Sequence, residues 1–182
     1  MNIVKILLTR LQCLRYGINY QKGLWIHPSF RAIKSGEIKL GECTALHNLT
    51  RIDCNGIGHV TIGKGCKLNW GTQIESMSEV FIGDYVLIAP NVHITDRNHE
   101  YKDISIPIIK QGWFSNGVVK IDDGCWIGIN TVIIGPVHIG RNCVIGANSV
   151  VTKDIPDYSV SVGNPARIIR RYNFETQLWE RV

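Results

Sequence analysis

From Ile121 onward an aliphatic side chain recurs at every sixth position: Ile121, Ile127, Ile133, Ile139, Ile145 and Val151. With Ile, Leu and Val at roughly three positions in ten, such a run in one register has a chance on the order of one in a thousand. The same step appears upstream in threes, as Leu40, Leu46, Ile52, then Ile62, Leu68, Ile74, then Ile82, Ile88, Ile94. Two residues before each of these stands something small or β-branched, for example Thr44, Thr50, Val60, Cys66, Thr72, Val86, Val92, Cys125, Thr131, Cys143 and Ser149. Gly or Ala often follows the aliphatic position, as at Gly63, Gly83, Ala89, Gly128 and Gly146. That choice suits a turn with close backbone approach.

Two inward positions per six residues describe a short strand and a corner, and three such sides make a triangular coil of about 18 residues. Coils stacked at the ~4.8 Å spacing of hydrogen-bonded strands form a parallel β-helix of about five coils. Long steps fall only between triplets, ten residues from Ile52 to Ile62, eight from Ile74 to Ile82 and 27 from Ile94 to Ile121. All insertions therefore leave at one corner. The 15 aliphatic side chains of the triplets fill the prism, each contributing roughly 1.5–3 kcal/mol of gross burial, so the fold needs neither cofactor nor disulfide. The chain accordingly divides into an N-terminal apolar and basic segment and cap (1–37), the repeat body (38–156, with a loop over 95–118) and a C-terminal segment with a short helix (157–182).

Composition adds bounds. A chain of 182 residues suits one domain. Its formal charge of +5 is spread along the sequence rather than gathered in one dense run, which favours a small anionic ligand over nucleic acid. The six cysteines include no C-x-x-C and no zinc-ligand spacing, so reduced thiols in a cytoplasmic setting are expected. Cys125 and Cys143 are 18 residues apart and should stack on neighbouring coils as small inward side chains. The N-terminus, MNIVKILLTRLQCLRYG, is expected to be neither a membrane span nor a signal peptide: its apolar run is far below ~20 residues and no small-residue cleavage site follows. Lys5, Arg10 and Arg15 interleaved with Ile3, Leu7, Leu8, Leu11 and Leu14 make a basic amphipathic helix. It either packs on the main body or rests on an anionic membrane surface at the inner face of the cytoplasmic membrane.

The segments VFIGDYVLIAPNVHITDRNHEY, CWIGINTVIIGPVHIGRNCVIGANSVVTKDIPDYSVSVGNPARIIRRYN and FETQLWERV resemble the hexapeptide-repeat acyltransferases, over roughly residues 38–172. Within that family they are most similar to galactoside, maltose and surface-polysaccharide O-acetyltransferases. The resemblance implies an all-β fold, a left-handed parallel β-helix, a handedness that periodicity alone does not give. It also implies acetyl-CoA as co-substrate and a homotrimer with sites between subunits; no metal is expected, because the histidines lack the spacing of a zinc site.

His99 stands five residues past Ile94, where the repeat opens into its longest loop. Acyl transfer from a thioester to a hydroxyl needs a base to take the hydroxyl proton, and imidazole titrates near the working pH. The resemblance gives His99 that role. It places Asn69 near the acceptor hydroxyl, although a corner-turning asparagine explains the residue equally well. The galactoside enzyme has an acid where this chain has Met77, so the sugar specificity is not carried over. Asp96, Glu100 or a backbone carbonyl could orient the imidazole.

For the donor, the resemblance points to the Ile129 backbone N–H as an oxyanion donor and to Ala147 beside the pantetheine arm. Thr152, Lys153, Arg167 and Arg170 would hold the adenosine phosphates; the Arg167–Arg171 run also reads as a solvated helix face. Trp126 should face outward, lining the groove or packing at a subunit contact. Trp113 and Phe114, in the loop from Ile104 to Val118, would help select the acceptor through their aromatic faces. The ending YNFETQLWERV and the basic N-terminus favour a sugar hydroxyl in capsule or lipopolysaccharide synthesis, with a free sugar, an amino sugar or an antibiotic as alternative small-molecule acceptors. Remoter readings are a γ-type carbonic anhydrase, with His93 and His99 as zinc ligands and no properly spaced third, and a non-enzymatic solenoid.

Overall fold

A computed structural model describes residues 2–54 and 56–182. Short parallel strands stack on three faces. The first face runs Trp25–Ile26, Ala45–Leu46, Lys67–Leu68, Leu87–Ile88, Trp126–Ile127, Val144–Ile145 and Ser159–Val162. The second runs Arg31–Lys34, Arg51–Cys54, Gln73–Ser76, His93–Thr95, Val132–Ile134 and Val150–Val151, and the third Glu37–Leu40, His59–Ile62, Glu79–Ile82, Val119–Ile121 and Val137–Ile139. The register aligns the sixth-position side chains as columns, for instance Leu46, Leu68, Ile88, Ile127 and Ile145. All 15 are at most 5% exposed. Inward threonines are bonded: the Thr44 hydroxyl donates to the Gly63 carbonyl at 2.7 Å and the Thr72 hydroxyl to the Asn69 carbonyl at 2.7 Å.

The prism has about seven turns rather than five. The extra turn at the start lies within the segment expected to precede the repeat, where Leu24, Ile26 and Phe30 are fully buried. There the large Phe30 takes the small-residue position and Ala32 the aliphatic one, which hides the turn from an Ile/Leu/Val count. At the other end the buried Ser161 takes the aliphatic position in register with Ile145, and the buried Ser159 the small-residue position.

The C-terminal segment is also corrected. In place of a short helix, Ser159–Val162, Arg167–Asn173 and Leu178–Arg181 form an antiparallel meander on the first face. Tyr172 pairs with Trp179 across it, ring centroids 5.4 Å apart, and cross-strand aromatic pairing outweighs the helix-like basic run.

Helix α1 (Ile3–Tyr16) lies across the first turn. Asn2 caps its start by accepting from the Lys5 N–H, and Gly17 ends it in the left-handed region at φ 58°. The Thr9 hydroxyl accepts from the Ile26 N–H at 3.3 Å and the Gln12 amide donates to the Pro28 carbonyl at 2.8 Å. These bonds satisfy backbone groups at the open end of the sheet stack.

Candidate active site

The loop leaves at the corner between the second and third faces, where the other insertions also fall. Within it Arg97–His99 pairs antiparallel with Trp113–Ser115, and the register sets His99 opposite Trp113. Alternate residues of a strand share a side, so Arg97 and His99 both meet the Trp113 ring. The His99 and Trp113 ring centroids are 3.5 Å apart at 34°, and the Arg97 guanidinium sits 4.4 Å from the Trp113 centroid.

Arg97 is fixed from below. It reaches Glu75 at 3.0 Å and Asp53 at 3.7 Å. Asp53 is almost fully buried and also meets Arg51 at 3.4 Å. A guanidinium is suited to this setting because it is planar, always charged and able to cover an aromatic face. The stack from Asp53 through Arg97 and Trp113 holds the imidazole by its face. Among the described residues nothing hydrogen-bonds the ring nitrogens of His99; its backbone N–H bonds the Asn98 side chain at 2.9 Å.

Neither acid near in sequence orients the ring. The buried Asp96 carboxylate accepts from the Met77 N–H at 2.7 Å, the Ser78 N–H at 2.8 Å and the Ser76 hydroxyl at 3.2 Å, so it ties the loop to the neighbouring turn. Glu100 accepts from the N–H groups of Tyr101 and Lys102. His93 lies 3.6 Å from Glu75. Among the described residues no three His, Cys, Asp or Glu side chains gather as metal ligands.

Asn69, Ile129 and Ala147 share the opposite edge of the second face. Asn69 turns the corner: its side chain donates to the Ile88 carbonyl at 2.8 Å, and its carbonyl accepts the Thr72 hydroxyl. One subunit therefore does not bring Asn69 to His99. Ile129 and Ala147 occupy neighbouring turns, linked by the Asn148 N–H to the Ile129 carbonyl at 2.9 Å. The Ile129 N–H has no acceptor among the described residues. A ladder of side-chain amides, Asn91 to Asn130 at 3.3 Å and Asn130 to Asn148 at 3.1 Å, braces this edge. These asparagines adopt φ of 57–58°, a region asparagine tolerates better than most residues.

Trp126 is 51% exposed, on the first face between Leu87 and Val144. Lys153 and Arg167 line one groove of about 350 Å³ with Ala166 and Ile168. Thr152 is exposed beside it. Arg170 opens instead onto a second groove with Arg181, so the structure joins two of the four donor-phosphate candidates and sets Arg170 apart.

Asp53, Glu75 and Arg97 were missed by the sequence reading. The signal was available: Asp53 and Glu75 occupy the same outward position on successive turns, where two stacked acids call for a cation.

Comparison with known proteins agrees with the fold. The family model "Bacterial transferase hexapeptide (six repeats)" matches residues 119–153. WbbJ of Escherichia coli (strain K12), provisionally assigned as a lipopolysaccharide biosynthesis O-acetyl transferase, is 37% identical over 152 residues, covering 80% of this chain and 78% of WbbJ. The galactoside O-acetyltransferase of Lactococcus lactis subsp. lactis (strain IL1403) is 36% identical over 115 residues; the match covers 63% of this chain but only 54% of that enzyme. Among solved structures, AntD, an N-acyltransferase from Bacillus cereus in complex with dTDP and 3-hydroxybutyryl-CoA, superposes with a TM-score of 0.77 at 19% identity, covering 92% of this chain and 89% of AntD. At that identity the likeness is one of fold. Repeat, prism and sequence similarity to WbbJ together show that the chain belongs to the hexapeptide-repeat acetyltransferases.

Proposed function

We propose that the protein transfers acetyl from acetyl-CoA to a sugar hydroxyl in bacterial surface-polysaccharide synthesis, with His99 as the base. The observation that carries this is the imidazole at the extruded corner, packed by its face on Trp113 while its nitrogens stay unbonded among the described residues. WbbJ, a relative covered along most of its length, is provisionally assigned as a lipopolysaccharide biosynthesis O-acetyl transferase.

His99 takes the proton as the acceptor oxygen attacks the thioester carbon. The carbonyl oxygen gains charge and is met by the Ile129 N–H. The carbon–sulfur bond then breaks and His99 returns the proton to the departing thiolate. His99 and the Asn69, Ile129 and Ala147 edge lie on opposite edges of the second face, so a site shared between neighbouring subunits of a homotrimer accommodates both. Lys153 and Arg167 face the anionic adenosine end of the donor, and Thr152 stands beside them.

Release of thiol from acetyl-CoA should be followed against nucleotide sugars, oligosaccharide repeat units, amino sugars and antibiotics. Turnover is expected with a hydroxyl-bearing sugar acceptor and should fall about 10²–10⁴-fold in His99→Ala. Undiminished turnover in that variant would remove His99 as the base, and acetylation of amines alone would overturn the choice of acceptor.

A further inference from the structure

Charge is distributed unevenly along the chain. The first 36 residues contain six cations, Lys5, Arg10, Arg15, Lys22, Arg31 and Lys34, and no Asp or Glu. The other 146 residues contain 14 cations against 15 acids. The positive excess thus belongs to the end of the prism that α1 covers.

Helix α1 is amphipathic in an unusual sense. Its inner side presents Thr9, Gln12 and Cys13, while Ile3, Val4, Leu7, Leu11 and Leu14 are 56–80% exposed. At ~100° per residue these five fall in a sector roughly 100° wide, bordered by Arg10 on one side and Arg15 on the other. The cations rest on aromatic rings: Lys5 is 5.2 Å from the Trp25 centroid, Arg10 5.0 Å from Tyr20 and Arg15 5.3 Å from Tyr16. At the C-terminal end of the helix an open groove of about 530 Å³ has Leu14, Ile18 and Tyr20 as walls and Arg10 at its rim.

We propose that α1 docks the protein on an anionic phospholipid bilayer. The five aliphatic side chains enter the boundary between headgroups and acyl chains. Arg10 and Arg15 meet lipid phosphates, and the groove takes the upper part of one acyl chain. Charge decides the occupant: two copies joined through this face would bring their cations together with no acid in either segment, whereas an anionic surface complements them. The contact is peripheral, since among the described residues no helix is long and apolar enough to cross a membrane. Such docking would hold the acetyltransferase beside a lipid-linked acceptor, yet it stands or falls independently of the acceptor's identity.

The full chain should be sedimented with phosphatidylcholine vesicles and with vesicles carrying about 30% phosphatidylglycerol. Binding is expected only to the anionic vesicles, and should weaken as salt rises and shortens the screening length. Arg10→Gln with Arg15→Gln should weaken it roughly 25-fold, at about fivefold per cation. Leu7→Gln with Leu11→Gln and Leu14→Gln should abolish it without altering the melting temperature or acetyl-CoA turnover, because these side chains are exposed. Equal binding to both vesicle types, or binding untouched by either set, would overturn the proposal. So would light scattering that shows the leucine variants losing subunits, which would assign the face to a self-contact.

Discussion

Gly128 offers the sharpest test of how tightly the turns are stacked. A Cβ placed there would stand 2.6 Å from the Ala147 nitrogen, 2.8 Å from the Ile145 oxygen and 2.9 Å from the Gly146 carbonyl carbon. All three are backbone atoms, so no rotamer change relieves the contact. In Gly128→Ala the two turns must separate by roughly half an ångström or more, stretching the 2.8 Å bond from the Gly128 N–H to the Ile145 carbonyl. Overpacking of this kind costs about 1–3 kcal/mol. At about 2–4 °C per kcal/mol for a chain of this size, calorimetry should show the melting temperature falling by roughly 2–12 °C. The same shift displaces the neighbouring Ile129 N–H. An oxyanion donor contributes about 10²–10³-fold to turnover, so a partial displacement should lower kcat by about tenfold, more than any fold-change in KM. A melting temperature within a degree of the parent would refute the close stacking. A lower melting temperature with unchanged kcat would detach Ile129 from the chemistry.

Removing the cation in Arg97→Met leaves the buried Asp53 with Arg51 as its remaining ion partner and takes the guanidinium from Glu75, and should destabilise the fold by about 3 kcal/mol at most, read by denaturant melts. The double variant with Asp53→Asn should lose less than the sum of the two single changes. Lys153→Glu with Arg167→Glu should raise KM for acetyl-CoA at least tenfold, and this excess should shrink when a donor lacking the adenosine phosphates is used. Burial pushes the Cys13 thiol up to about 11. Between pH 9 and 11 the folded chain then keeps a proton that the unfolded chain releases, so stability falls as pH rises through that window. Cys13→Ala should show a smaller loss from pH 8 to 10.5 in the same melts.

Period and corner were readable because each aliphatic column repeats one chemical requirement, an inward branched side chain every six residues. The first turn escaped notice because Phe30 and Ala32 exchange the usual sizes while filling similar space. The tail was misread because Arg167–Arg171 looks the same as a solvated helix or an exposed strand until Tyr172 meets Trp179. The placement of His99 on the extruded corner was legible from the longest interval. The contacts that hold its ring were not, since Asp53 and Glu75 reach Arg97 only through the stacking of turns and Trp113 meets the ring only through the hairpin inside the loop. Asp96 was one of three candidates to orient His99, on nearness in sequence; its carboxylate instead serves the turn holding Met77 and Ser78.

A crystal structure with coenzyme A bound tests most directly whether this prism presents an imidazole to a thioester. The sulfur should lie within hydrogen-bond reach of a His99 ring nitrogen, directly or through one water, with the adenosine phosphates beside Lys153 and Arg167. A thiol held at another face, with no His99 near it, would contradict the mechanism.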